Sequence, residues 1–260
     1  MAPSDHLQLD TAEYFARLAT TYGSGEYYRK RREAAVAEIR REIGKAQSLL
    51  DLGCGNGTYT TAFRSAGIAK FLVGGDLSFG MLQEARKRGA ASALISCDAM
   101  VLPFRSGFFE VIFCSHVLQF VTDLPRCLGE IARCLVTGGT FIIAGGEFGV
   151  RERLKVLVGD ERWAQFARGL PRPRDVHVRR SLLEYQQAAE AGGLQVDQRK
   201  VEFGGSWADL AEFYRVRWLP LLEPSSRAAL SATLDSIAGE RGAEQIRLSE
   251  SLLFCRKPAA

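Results

Sequence analysis

Three aspartates and three glycines in the first hundred residues carry the chemistry that can be read directly from this chain. Residues 48–60, SLLDLGCGNGTYT, run from an apolar stretch into Asp51 and then through Gly53, Gly55 and Gly57 at alternate positions. That order predicts a strand, a tight turn and a helix. Glycine is required in such a turn because a Cβ blocks positive φ or the close approach of a ligand to the backbone. The spacing GxGxG departs from the GxGxxG that seats a pyrophosphate, and a carboxylate at Asp51 repels a phosphate and attracts an ammonium group. Asp76 closes a second apolar run, 25 residues beyond Asp51, and Asp98 closes a third. Strand ends of an open parallel sheet converge on one crevice. Acids at three successive strand ends therefore describe a nucleoside-reading site, in which one carboxylate such as Asp76 accepts hydrogen bonds from both hydroxyls of a ribose.

The motifs DLGCGNG, VGGDLSFGML, CDAMVLPF, FFEVIFCSHVLQFVTDL and LVTGGTFIIA follow one another between residues 14 and 144. In this order they resemble class I S-adenosylmethionine-dependent methyltransferases, in particular the small-molecule subgroup that includes ubiquinone and menaquinone C-methyltransferases. Five ordered motifs are far more specific than any one of them. The resemblance implies S-adenosyl-L-methionine as cofactor. It assigns Asp51 and the backbone of Gly53, Gly55 and Gly57 to the methionine amino group and carboxylate, Leu77 to the adenine face, and Asp98 with the amide of Ala99 to the adenine edge. Cys97 stands where relatives usually have glycine. Tyr22 either touches the methionine end of the cofactor or, with Tyr14, Tyr27 and Tyr28, staples the N-terminal helices to the core.

The segment after the fourth strand, Ser115, His116, Val117, Leu118, Gln119 and Phe120, leaves the sheet where methyl donor and acceptor must meet. Ser115 is expected on the cofactor side. Relatives often show leucine-histidine-histidine here; this chain has Leu118-Gln119-Phe120, with its histidine displaced to His116. An imidazole near its reference pKa of ~6.5 is partly neutral at working pH and can take a proton from a hydroxyl, so His116 is the candidate base and an acceptor-side contact. A structural histidine is the other reading. Gln119 is the candidate for positioning an amine acceptor.

These side chains need a doubly wound α/β sheet, and the resemblance implies the strand order 3-2-1-4-5-7-6 with strand seven antiparallel. Strands are expected at residues 48–52, 71–75, 92–97, 109–114, 140–144, 194–203 and 249–256. Helices are expected at 12–21, 26–43, 58–66, 79–87, 124–135, 181–191 and 227–237. Asn56 and Thr58 are expected to cap the third helix and Ser78 the fourth. Glu130 and Arg133 read as a solvated pair, and Thr137-Gly138-Gly139 as a turn. Residues 1–45 form a helical lid over the cofactor, and insertions at 145–180 and 204–247 form a cap. Within the insertions Trp163 and Trp207 are candidate acceptor contacts, and together the aromatic segments argue for a roofed, mostly apolar pocket. Arginines 151, 153, 168, 172, 174, 179 and 180 either recognise a carboxylate or phosphate or form a solvated face.

The 260 residues, 47% apolar and 25% charged, suit one soluble domain spanning 1–260. No stretch reaches the ~18 apolar residues of a membrane span, and the first ten residues lack a signal peptide's basic region and apolar run. The expectation is a cytoplasmic protein without a membrane partner. The six cysteines form no CxxC pair or metal spacing and read as reduced core residues, with no metal implied. A net charge of +4 is too weak to imply nucleic acid, and relatives that act on nucleic acid carry an Asn/Asp-Pro-Pro-aromatic signature absent here. The expected activity is methyl transfer to a small molecule, with oxygen, nitrogen and carbon all open as the nucleophile. Two alternatives are a carboxyl methyltransferase acting on an acyl group held by an acyl carrier protein, as in biotin synthesis, and a non-catalytic cofactor-binding module.

Overall fold

The apolar runs that end in acids form neighbouring parallel strands, and their alternation explains what covers them. The computed structural model describes residues 3–145, 155, 159, 160, 163, 180–219 and 224–259. Two helices, α1 (Pro3–Leu18) and α2 (Glu26–Ile43), lead into β1 (Ala46–Leu52). Then follow α3 (Thr58–Ala66), β2 (Ala69–Asp76), α4 (Phe79–Arg88), β3 (Ala93–Ser96) and β4 (Phe109–Ser115). A short 3-10 turn (Leu118–Phe120) precedes α5 (Leu124–Cys134) and β5 (Leu135–Ala144). The last part comprises α6 (Leu182–Ala191), β6 (Gln195–Ser206), α7 (Trp207–Trp218), α8 (Pro224–Arg241) and β7 (Gln245–Arg256).

The seven strands lie in the order β3-β2-β1-β4-β5-β7-β6, as expected. β1 pairs parallel with both β2 and β4, whereas β7 is antiparallel to β5 and β6. Successive strand residues point to opposite layers. Leu49, Leu72, Phe113 and Ile142 join Val36 and Ile39 of α2 and Phe63 of α3 in one buried cluster. Their neighbours Leu50, Val73, Ile112 and Phe141 join Leu128 and Ile131 of α5 and Tyr185 of α6 in another. Burial on both faces is why these strands read as continuous apolar runs. β1 sits where the chain turns from one half of the sheet to the other, so the crevice opens beyond its C-terminal end.

A third cluster lies in the helices inserted between β6 and β7, where Leu210 and Tyr214 of α7 and Leu230 and Leu234 of α8 pack with Phe203, Leu248 and the α2 residues Tyr27 and Tyr28. α2 thus serves the sheet through Ala35, Val36 and Ile39 and the inserted helices through its first turn. β6 and β7 begin or end several residues beyond the expected bounds, because Gly204, Gly205 and Ser206 pair with Arg247, Ile246 and Gln245 and carry the hairpin up to the cap cluster. The 145–180 insertion lies largely outside the described residues, including six of its seven arginines.

Four local expectations change. α1 starts at Pro3 and ends at Leu18, earlier at both ends than its apolar spacing suggested. Residues 137–139 are no separate turn: β5 runs from Leu135, and Gly138, with φ 77°, accommodates a register shift opposite Phe109 and Val111. Glu130 and Arg133 are partly buried, and Arg133 also donates to the carbonyls of Leu102 and Phe104 while Glu130 accepts from the Leu102 amide, so the pair clamps the loop before β4. Thr58 is the first helical residue, after Gly57 at the N-cap, and neither Asn56 nor Ser78 caps its helix by a side chain. Both turn to α1 and the segment after it instead, Asn56 donating to the carbonyls of Ala19 and Tyr22 and Ser78 to that of Ala12.

Candidate functional site

Beyond β1 the chain turns through three glycines, each in the left-handed region: Gly53 at φ 72°, Gly55 at 54° and Gly57 at 83°. Their reasons differ. A Cβ on Gly53 would fall 2.0 Å from Cγ2 of Val117, so the turn after β1 and the exit of β4 meet there without space for a side chain. Gly55 donates its amide to Oδ2 of Asp76 at 2.8 Å, while Oδ1 of the same carboxylate accepts from the Ser78 amide at 2.8 Å. Asp76 therefore organises the glycine turn from the next strand and keeps lone pairs for a ligand. Gly57 faces α4, where a Cβ would lie 3.1 Å from that of Ala85, and lines neither cavity described below. Its glycine serves helix packing.

A cleft encloses about 820 Å³ of empty space, the open solvent at its mouth included. Its floor comprises Gly53, Gly55, Asp76 and the 97–99 loop, its wall Ser115, His116 and Val117, and its roof Ala12 and Phe15 of α1 together with Tyr22. Leu77, 40% exposed, stands on the lip, an apolar side chain awaiting a cover. Asp98 holds the Met100 amide at 2.8 Å, and Ala99 lies beside it in the wall. A second recess shares Tyr22, Gly53, Gly55, Ser115 and His116 with the cleft and continues to Asp51, Arg31, Arg32 and Tyr59.

Asp51 is buried and accepts from Oγ1 of Thr60. Burial pushes its carboxyl up to about 7, against the Thr60 bond, with the nearby Asp76 charge adding to the rise. Burial likewise raises Asp76 despite the amides of Ser78 and Gly55. Desolvated carboxyls in a cleft are the environment that a cation and a diol complete. The residues present therefore fit an amino-acid-bearing nucleoside: Asp51 for an ammonium, Asp76 for ribose hydroxyls, Leu77 and the 98–99 loop for the base.

His116 lines both cavities and is the sole non-glycine residue with positive φ, 55°, among the described residues. Such strain is held in place by its surroundings and concentrates at functional sites. Gln119, Trp163 and Trp207 are placed elsewhere. Gln119 sits in the 3-10 turn outside both cavities. Trp163 packs against the cap cluster, as does Trp207, whose ring lies 4.8 Å beneath the guanidinium of Arg241. Aromatic content alone did not distinguish cap packing from pocket lining. Of the arginine run, Arg180 is described, and it donates to the carbonyls of Leu118 and Val121, a structural use.

Sequence reasoning missed Arg31, Tyr59 and Glu250. Glu250 is an acid at the head of the apolar run SLLFC. That is a readable anomaly, yet nothing local says what it faces. Among the described residues no group of three or more histidines, cysteines or acids is placed to hold a metal, and no helix is long and apolar enough to cross a membrane. All six cysteines are buried and free.

Residues 50–143 match the methyltransferase domain family. With this sheet order and these strand-end acids, the chain is similar over that region to the class I S-adenosylmethionine-dependent methyltransferases. Among curated relatives it is similar to a malonyl-[acyl-carrier protein] O-methyltransferase of Serratia marcescens, 32% identical over 120 residues that cover 42% of this chain and 46% of that protein. It is also similar to a demethylmenaquinone methyltransferase of Thermobifida fusca, 32% identical over 148 residues, covering 52% and 60%. The chain thus spans about half the length of the curated relatives it matches. Among solved structures, geranyl diphosphate C-methyltransferase from Streptomyces coelicolor A3(2) superposes with a TM-score of 0.59 at 17% identity, covering 99% of this chain and 100% of that one. The YcgJ protein of Bacillus subtilis gives 0.58 at 18%, covering 87% and 99%. These two likenesses establish the fold.

Proposed function

We propose that this protein binds S-adenosylmethionine in the cleft and transfers its methyl group to a small-molecule acceptor. The observation that carries the reading is that Asp76 and Asp98 line the cleft while Asp51 lines the recess that joins it at Gly53, Gly55 and His116, so acids from three strand ends flank one connected space. When bound, the cofactor supplies an electrophilic methyl group on a sulfonium. The chain's own task is then alignment and exclusion of water, and orientation alone contributes about 7–11 kcal/mol in well-aligned systems. Asp51 holds the ammonium, Asp76 the ribose, and the 98–99 loop the adenine. Phe15 and Tyr22, edge to face at 5.5 Å, roof the cleft. His116, at the junction of the two cavities, takes the acceptor's proton. Trp163 and Trp207 pack against the cluster of the inserted helices and leave the acceptor to the cleft.

A second reading, methylation of a carboxylate carried by an acyl carrier protein, is supported by the malonyl-[acyl-carrier protein] relatives. The two readings share cofactor and site and differ in the acceptor.

Calorimetric titration with S-adenosylmethionine and S-adenosylhomocysteine tests the proposal. Wild type is expected to bind both, and Asp76→Ala to lose about tenfold or more in affinity, as for a charge-assisted hydrogen bond of about 1.5–3 kcal/mol, while remaining folded. Unchanged affinity in Asp76→Ala would remove the ribose assignment. Incubation with methyl-labelled cofactor and a cell extract then identifies the acceptor, and label reaching no compound at all would leave a binding module in place of an enzyme.

A further inference from the structure

A buried ionic cluster links the first helices to the last strand behind His116. Glu250 on β7 is 6% exposed. Oε2 of its carboxylate lies 3.2 Å from Nε of Arg31 on α2, and Oε1 lies 3.5 Å from Nε2 of His116. Arg31 is itself buried and reaches Oγ of Ser115 at 3.4 Å, on the residue preceding the histidine. Neither carboxylate oxygen has a close hydrogen bond, so Glu250 is held by the charges of its two partners. Burying a carboxylate against an arginine costs desolvation that a packed apolar residue avoids, and the fold keeps this one where it meets an imidazole.

The imidazole has a seat made for it. The β5 strand ends at Gly145, φ 90°, where a Cβ would stand 2.4 to 2.7 Å from Cε1, Nε2 and Nδ1 of His116. Near-equal distances to the three atoms put that position over the ring face, so the imidazole stacks on bare backbone. The His116 amide is fixed by the Ala144 carbonyl at 3.1 Å. Among the described residues the charged or titratable groups lining the shared recess beside His116 are Arg31, Arg32 and Tyr28 on α2, Asp51 on β1, Cys54 in the glycine turn, Tyr59 on α3 and Tyr22 before α2. Burial alone would raise Glu250, but the Arg31 guanidinium and His116 outweigh it and hold the carboxyl below its usual range. The carboxylate is thus ionised beside the ring at neutral pH.

We propose that Glu250, anchored by Arg31, is a positioning residue that holds His116 with its proton on Nε2 and its lone pair on Nδ1, making it the base for an acceptor that must lose a proton. This rests on the methyl-transfer reading and deepens it toward hydroxyl or enolisable-carbon acceptors. The proton of that O–H or C–H passes to Nδ1 of His116, and the freed electron pair forms the bond to the methyl carbon. The pair of the broken carbon–sulfur bond stays on sulfur as a neutral thioether, and the imidazolium is stabilised by Glu250 until it releases its proton to solvent. A carboxylate acceptor, already ionised, has no use for this base.

Nitrogen-detected NMR of the imidazole side chains reads the pairing without any substrate. In wild type, neutral His116 is expected as the Nε2–H tautomer. In Glu250→Gln its titration midpoint should fall by about one pH unit or more, the loss of a neighbouring opposite charge, while calorimetric affinity for S-adenosylhomocysteine stays within about twofold. An Nδ1–H tautomer in wild type, or an unmoved midpoint in the variant, overturns the proposal. Should Glu250→Gln fail to fold, the wild-type tautomer decides alone. Absence of S-adenosylhomocysteine binding to wild type would sink the methyl-transfer reading, and with it the base role, whatever the imidazole signals show. Product from methyl-labelled cofactor and extract should resist mild base, as ethers and C-methyl groups do; label released as volatile methanol marks an ester and overturns the acceptor class.

Discussion

Burial sets the acidity of Asp51, and two measurable consequences come from that one carboxyl. With its pKa near 7 in the fold against 3.8 for the free group, it binds a proton that the unfolded chain has already released between those values. Stability is therefore fully present below pH ~4 and is lost as pH rises through about 7. At ~1.4 kcal/mol per unit the loss is of the order of 4 kcal/mol. Asp51→Asn is expected to melt several degrees higher than wild type at pH 8 in the absence of cofactor, and no higher at pH 4, by calorimetry across pH. An ammonium ligand requires the ionised form, so the Kd for S-adenosylhomocysteine should rise about tenfold per unit as pH falls below about 7. A flat profile between pH 8 and 5 would dissociate Asp51 from the ligand's ammonium. At this scale the acids were legible because each follows an apolar run, whereas the strained backbone of His116 and the bare seat at Gly145 have no signature in residue type.

The elements around the cleft are tied together by side chains that first looked like helix caps. Asn56, 1% exposed, spends its amide on the carbonyls of Ala19 and Tyr22, and Ser78 reaches the Ala12 carbonyl. Nearby, a Cβ on Gly80 would meet that of Ala16 at 2.7 Å, so α1 lies directly on α4. Removing Asn56's amide leaves two carbonyls without that donor, at about 1–3 kcal/mol for a buried loss. Asn56→Ala should lower the melting temperature by several degrees and speed hydrogen exchange across residues 12–24, with weaker cofactor binding through faster release. Exchange unchanged in that window would show that the lid is held by other contacts. Ser, Thr, Asn and Asp near a helix start are ambiguous in sequence, since the same oxygen or amide serves a cap or a distant carbonyl.

At the scale of the whole molecule, the cap and the sheet share α2, whose Tyr27 and Tyr28 enter the cap cluster while Val36 and Ile39 enter the sheet cluster. A shared element couples the two regions, so unfolding is expected as one transition. Tyr214→Ala, at a side chain with no exposure, should cost about 3–5 kcal/mol and move that single transition down. A separate early transition, seen by calorimetry, would show that the inserted helices melt on their own.

The chain's local pattern determined most of the sheet. Strand runs, the glycine turn and the acids at strand ends are encoded within windows of about ten residues, where periodicity and backbone preference act. Tertiary structure alone decided which anomalies share a site. Arg31 and Glu250 stand 219 residues apart in the chain. They meet because β7 enters antiparallel between β5 and β6 and brings Glu250 behind the exit of β4. Trp163 and Trp207 lie in the cap for the converse reason, since an aromatic ring satisfies a core and a pocket equally. Hydrophobic patterning states that a residue is covered; the topology states by what.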